Sequence, residues 1–289
     1  MTTNFGFCAI ALVAGFSLSA CSSSSSGSSD GGSNATSEIT LPQNGTLELD
    51  GQAITAEVAG TTVSNIATRQ TSTLRMTTED GDIVAASFRA PASGVSLDSR
   101  SGDSLVRSSS GVLLAFDSAD LNDGAVLIDP SQTRFEHQTF GVWLEDRNRP
   151  VAVVGAGSYG YRTDSSDVPT GRNATYEGVS TGIALLADGN GYLTASEIEV
   201  TTNFRNATIR SSDTIASRLS DGTVVNAPEL DFSGSGNVSG NTFRANIAGT
   251  GTSGTADGIF YGRNAEEVGG TFQATGAGGV SHVGAFGAD

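Results

Sequence analysis

The sequence predicts an all-β chain in two folded parts: an N-terminal β-rich domain, then a small antiparallel up-and-down β-barrel of about eight strands. Two observations predict it. From Ile39 onward, short runs rich in Thr, Val, Ile, Phe and Tyr alternate with period two, and Gly, Asn and Asp separate them. The 38 glycines also fall inside those runs, as at Gly178 and Gly182 or Gly234 and Gly236. Glycine weakens a strand, so its repeated use there points to tight curvature or close backbone approach, and a small barrel needs both.

The first element is not part of the fold. Phe5 to Phe16 is an apolar run too short to span a bilayer, and small residues lead from it into Leu18-Ser19-Ala20-Cys21. This resembles the lipobox of bacterial lipoproteins, which implies that residues 1–20 are a signal peptide and that Cys21 becomes the lipidated first residue. Met1 to Phe7 contains no Lys or Arg, a departure from the usual positive start. Residues 21–37 then form a flexible Ser/Gly linker with no apolar residue able to anchor a core. As a random coil it spans roughly 20 Å.

The N-terminal domain is expected over residues 38–165, with strands at Leu47 to Gly51, Ile83 to Phe88, Val112 to Phe116 and Thr139 to Leu144. The polar, Pro- and Gly-bearing segment Ser165 to Gly171 is the interior boundary. The barrel is expected over residues 166–289, with denser runs. These are Ala174 to Leu186, Ile198 to Phe204, Leu230 to Ser233, Phe243 to Ile247, Ile259 to Tyr261, Phe272 to Ala274 and Val283 to Phe286. Val283 to Phe286 has to pair with the opening strand near Tyr176, or the barrel keeps two raw edges.

Composition excludes several kinds of chemistry. With Cys8 in the signal and Cys21 lipidated, the mature chain has no thiol for a disulfide, redox pair or zinc site. All fifteen basic residues are Arg, which removes a Schiff-base, phosphate-loop or general-base lysine. A net charge of -16 argues against nucleic acid as a partner, because phosphate binding needs a basic surface.

Three motif matches fail on context, so no enzyme, cofactor or metal is expected. Val151 to Gly160 has a dinucleotide-binding look, but Tyr161 to Pro169 cannot supply the helix that receives the pyrophosphate. Gly178-Val179-Ser180-Thr181-Gly182 matches a nucleophile elbow, yet lies inside a β-rich run with only His282 downstream as a base. Asp188 to Glu197 can be laid on a calcium loop, but Leu186 occupies the first ligand position and a hairpin explains the residues more simply. Asn264 to Glu267 is expected to make one helical turn capped by Asn264, with Gly269 and Gly270 at unusual backbone angles. Phe135, His137, Phe140, Trp143, Tyr159 and Tyr161 concentrate aromatics before the barrel. They read either as a haem-contacting patch with His137 as axial ligand, or as packing between the two domains. Packing is the favoured reading.

Gly258-Ile259-Phe260-Tyr261-Gly262-Arg263-Asn264-Ala265-Glu266-Glu267, with the terminal Gly284-Ala285-Phe286-Gly287-Ala288, resembles the end of the barrel of transferrin-binding protein B. Val168-Pro169-Thr170-Gly171 with Ala174 to Gly178 resembles its opening strand, and Thr139 to Trp143 the segment before it. Arg263 stands where that family usually has Pro. The resemblance implies a handle-like N-terminal domain, and the length suits one lobe of the two-lobed receptor. It therefore points to an outer-membrane surface lipoprotein, a monomer held to the membrane by its lipid anchor, that binds a protein or an iron- or haem-bearing ligand. The alternative is a structural envelope lipoprotein with no iron-related ligand. Ser22 after Cys21, in place of an inner-membrane-retaining Asp, agrees with outer-membrane delivery.

Overall fold

The computed structural model describes residues 38–289. The expected signal peptide over residues 1–20, the lipidation site Cys21 and the linker to residue 37 lie outside the described residues. What is described is all-β, as expected. In chain order the first strands are β1 (Gly45–Ala59), β2 (Thr62–Glu79), β3 (Asp82–Ala90), β4 (Ser93–Asp98) and β5 (Ser104–Arg107). They are followed by β6 (Val112–Phe116), β7 (Gly124–Ile128), β8 (Gln138–Glu145) and β9 (Ala152–Gly160). These form one antiparallel sheet in the order β4-β3-β2-β1-β9-β8-β7-β6-β5. The sheet curls until β4 touches β8, where the Trp143 indole N–H donates to Ser93 Oγ at 2.9 Å and Ser93 donates to Glu145 at 2.8 Å.

The remaining strands are β10 (Ala174–Leu185), β11 (Gly191–Thr202), β12 (Asn206–Arg218), β13 (Val224–Asn226) and β14 (Phe232–Ser239). The last four are β15 (Thr242–Gly249), β16 (Thr252–Tyr261), β17 (Glu267–Gly276) and β18 (Ser281–Ala288). Eight of them close an antiparallel barrel, with short β13 appended to β12. Closure is made where the sequence requires it: β18 pairs with β10, Phe286 opposite Ser180 and Val283 opposite Ile183. The backbone of Asp289 exchanges hydrogen bonds with that of Glu177.

Period-two burial is clearest on β11 and β15, where Ile198, Val200, Phe243, Ala245 and Ile247 enter the barrel core. It vanishes on β18, which is buried at every residue, and over most of β8. The cause is a second contact face. Phe286 and Ala288 point into the barrel, while Val283 and Ala285 pack outward on the first sheet. On β8, Trp143 joins the first sheet's own core with Leu74 and Phe88, and Phe140 and Val142 face the barrel. Four cores result among the described residues: one in the first sheet, one between the sheets, and two in the barrel, the smaller around Tyr192, Ala216 and Leu230.

Two local expectations are corrected. Tyr261 to Glu267 makes no helical turn; Asn264 and Ala265 stand at φ 60° and 57°, in the left-handed region. Burial holds Ala265 there, because it packs into the barrel core and its carbonyl accepts from the Tyr176 hydroxyl at 2.7 Å. Gly269 and Gly270 are extended residues of β17, not turn residues. A Cβ on Gly270 would come within 2.1 Å of the Asp257 carbonyl oxygen, so close approach explains that glycine.

Candidate functional site

The residues singled out from the sequence gather where the two sheets meet. Phe135 and Phe140 pack edge to face at 5.8 Å between centroids, in the shared core with Leu193 and Val283. Trp143, Phe88 and Tyr159 cluster on the opposite side of β8, the Trp143 and Phe88 rings stacked at 5.3 Å. The expected packing between the two parts holds for Phe135 and Phe140, while Trp143, Tyr159 and Tyr161 pack in the first sheet's own core. His137 is not poised as a haem ligand: its side chain is buried, and Nε2 lies 3.2 Å from Glu266 Oε2 on the turn before β17.

A polar knot crosses the joint at this end. Glu267 Oε1 accepts from the backbone amides of Glu136 and His137 at 2.6 and 3.1 Å. The Gln138 amide donates to the carbonyl of Val268 at 2.9 Å, and Ser158 and Tyr261 share a hydrogen bond of 2.8 Å. Arg134 reaches the carboxylate of Asp289. Burial lifts the Glu267 carboxyl to about 8, against the two amide donors, and lifts the Tyr261 hydroxyl to about 12. The buried Glu267 Oε2 has no hydrogen-bond partner, which suits a protonated acid. Elsewhere along the joint, Asp257 of β16 sits 3.8 Å from both Arg244 and Arg69, the latter on the long β1–β2 hairpin.

The other motifs resolve into structure. Val151 to Gly160 runs into strand β9 with no helix behind it. Ser180 lies mid-strand in β10, on the same inward face as Tyr176. His282 is buried inside the barrel, 2.8 Å from Thr194 Oγ1, and burial pulls its pKa down to about 3. Asp188 holds the β10–β11 hairpin by accepting from Asn190 and the Tyr192 hydroxyl, which pulls its carboxyl down to about 2. Among the described residues, no group of three His, Cys, Asp or Glu is placed to hold a metal ion. Sequence reasoning missed Glu267 and Gln138 as joint residues. The one available signal was a carboxylate and an amide at the starts of otherwise apolar strands.

Residues 168–289, the whole closed barrel, match the family model described as the C-lobe and N-lobe β-barrels of transferrin-binding protein B. The C-terminal domain is similar to the barrels of that family. Solved structures with a looser likeness to the chain include a point mutant of the vaccine antigen transferrin-binding protein B from Haemophilus parasuis. It is 14% identical, covers 86% of this chain and 76% of its own, and has a TM-score of 0.45. The haemoglobin receptor HpuA from Kingella denitrificans is 18% identical over 87% of this chain and 88% of its own, at a TM-score of 0.39. The isotype 1 transferrin-binding protein B of serogroup B Neisseria meningitidis is 12% identical over 86% and 77%, at 0.40. No curated protein matches the sequence. In this transferrin-binding-protein-like barrel, the family's terminal motif forms the β16–β17 turn and strand β18, which seal the barrel end and dock it on the first sheet.

Proposed function

We propose that this chain is a lipid-anchored lipoprotein of the outer-membrane surface that binds a protein carrying iron or haem. The observation that carries the reading is the match of the entire closed barrel to the barrels of transferrin-binding protein B. Its structure supports binding over catalysis. The polar side chains at the joint are spent on holding two sheets together: Glu267, Gln138, Ser158 and Tyr261 bond across it, and His137 is paired with Glu266. The joined sheets offer hairpin tips of both parts to a partner. Cys21 supplies the anchor, and a monomer is the form that acts.

The test is direct capture. The chain from residue 22 onward, which contains every described residue, is immobilised and offered transferrin, haemoglobin and haem in turn. Saturable binding of one of them is expected; binding of none contradicts the reading and favours a structural envelope role. In cells, Cys21→Ser is expected to release the protein from the detergent-soluble membrane fraction. Identical partitioning of mutant and parent would remove the anchor.

A further inference from the structure

In a chain of net charge -16, the outer face of β14, β15 and β16 stands apart. Its exposed side chains are Ser, Asn and Ala with a single charge, Arg244, and no exposed acid lies among them. The three strands carry one acid, Asp257, and it is buried. Asp257 stands opposite Arg244 in the β15–β16 ladder, and Arg69 of β2 reaches it from the first sheet. The Nε atoms of both arginines lie 3.8 Å from Asp257 Oδ1, too far for a hydrogen bond, and that oxygen has no hydrogen-bond partner. Burial pushes the Asp257 carboxyl up, against the pull of Arg244 and Arg69. Both arginine side chains are half-exposed, and Arg244 makes one further, long hydrogen bond, to Thr255 Oγ1 at 3.5 Å. Two cations thus share one carboxylate, and the cluster keeps a positive charge that faces solvent.

We infer that this face docks an acidic segment of a partner protein, with a carboxylate of the partner bridging the guanidiniums of Arg69 and Arg244. Charge complementarity carries the inference. An acidic segment is repelled by the chain as a whole and meets a net positive cluster here, which fixes where it lands. A carboxylate matches the planar fork of each guanidinium, and the buried Asp257 holds both forks on one point before any partner arrives. Around them the exposed side chains are short, so a partner's backbone can come close and bond to Ser235, Asn237 and Asn246. The same face offers no exposed aromatic ring on which a sugar could stack, which favours a protein over an anionic polysaccharide. Arg69 belongs to the first sheet and Arg244 to the barrel, so the site exists only while the two are joined. The inference rests on the reading that this chain binds a protein, and it names the chemistry of that partner.

Fluorophore-labelled hexaglutamate, titrated into the chain from residue 22 onward at low salt, is expected to show saturable binding by anisotropy that weakens as salt is added. Arg69→Gln and Arg244→Gln are each expected to weaken it about tenfold, the scale of one charge-assisted hydrogen bond. Arg75→Gln, which removes an exposed arginine paired with Glu48, is the control expected to bind as the parent does. If Arg69→Gln fails to fold, Arg244→Gln, on an exposed strand position, decides alone. Absence of saturable hexaglutamate binding overturns the proposal, as does equal weakening by Arg75→Gln. Oligogalacturonate of the same charge binding as tightly as the peptide also overturns it, since the face would then serve an anionic polysaccharide. Capture of transferrin or haemoglobin that Arg69→Gln and Arg244→Gln leave unchanged overturns this surface and leaves the proposed function standing.

Discussion

Glu267 shows how a single residue reports on the whole joint. Burial raises its carboxyl to about 8, and the carboxylates of Asp289 and Glu136 push the same way. Its folded pKa therefore lies above the ordinary 4.5, so the folded protein keeps a proton that the unfolded chain releases. Stability declines as pH rises across that window. Glu267→Gln keeps the acceptor for the two amides and never ionises; it is expected to flatten the decline between pH 5 and 8, read as melting temperature against pH (the window is roughly that between the two pKa values). A profile parallel to that of the parent would contradict the assignment. His282 acts in the opposite sense. With its pKa pulled down to about 3, it contributes stability above its ordinary 6.5 that is lost as pH falls toward 3. Neither residue was legible in the sequence as buried. Glu267 follows Glu266 in what reads as a solvated turn, and only the strand β8 behind it takes the second acid out of water. His137 and the aromatics were legible as packing, because alternation along Thr139 to Leu144 already sent Phe140 and Trp143 to opposite faces.

At the scale of elements, several glycines inside strands turn out to be seats for aromatic rings, while others, such as Gly178, Gly234 and Gly236, lie against backbone carbonyls of the neighbouring strand. Gly155 of β9 pairs with Trp143 of β8, and a Cβ on it would lie 1.9 Å from the indole Cε2. Gly258 of β16 is opposite Phe243 of β15, where a Cβ would lie 2.1 Å from the ring. Because Trp143 is fully buried, the ring cannot yield. Gly155→Ala is expected to destabilise the protein by about 1–3 kcal/mol, as overpacking does. Gly124→Ala, whose Cβ meets only ordinary contacts beyond 3.5 Å, is the control expected to cost little. Chemical denaturation midpoints distinguish them; equal midpoints would contradict the packing account. The glycine pattern was thus legible as close approach, while the rings it serves were not, since they lie on other strands. Hairpins with a local signature, such as Asp188 to Gly191, were also legible. Strands β2 and β12 were passed over because their Thr-, Ser- and Arg-rich runs look like loops until the partner strands pair with them. The expected helical turn at Asn264 failed because Ala265 is drawn into the barrel end, a tertiary contact that overrides local propensity. Strand β18 carries the closing prediction at this scale. Deleting residues 283–289 removes pairing to both β10 and β17 and unburies Phe286 and Val283. Each is worth roughly 1.5–3 kcal/mol, against the ~5–15 kcal/mol of a whole domain. The truncated chain is expected to lose its cooperative melt, and an unchanged midpoint would show that β18 does not close the barrel.

At the scale of the molecule, two sheets with cores of their own are fused by another core between them. Phe140, Val142, Val154 and Ala156 of the first sheet interlock with Leu193, Val283 and Ala285 of the barrel. Sequence patterning announced two β parts and the polar segment between them, because alternation and turns are local. It was silent on their fusion: strands buried on both faces lose the alternation that would mark them, as β9 did in imitating a nucleotide-binding motif. The proposed binding role depends on this fusion, since a partner that touches loops of both sheets needs them held in one relation. The Arg69–Asp257 pair and the Glu267 knot add polar ties across the same boundary. Calorimetric melting of the chain from residue 22 onward tests the fusion most directly. A single transition, with calorimetric and van't Hoff enthalpies in agreement, is the result expected of one cooperative body. Two separated transitions, one for each sheet, would contradict it.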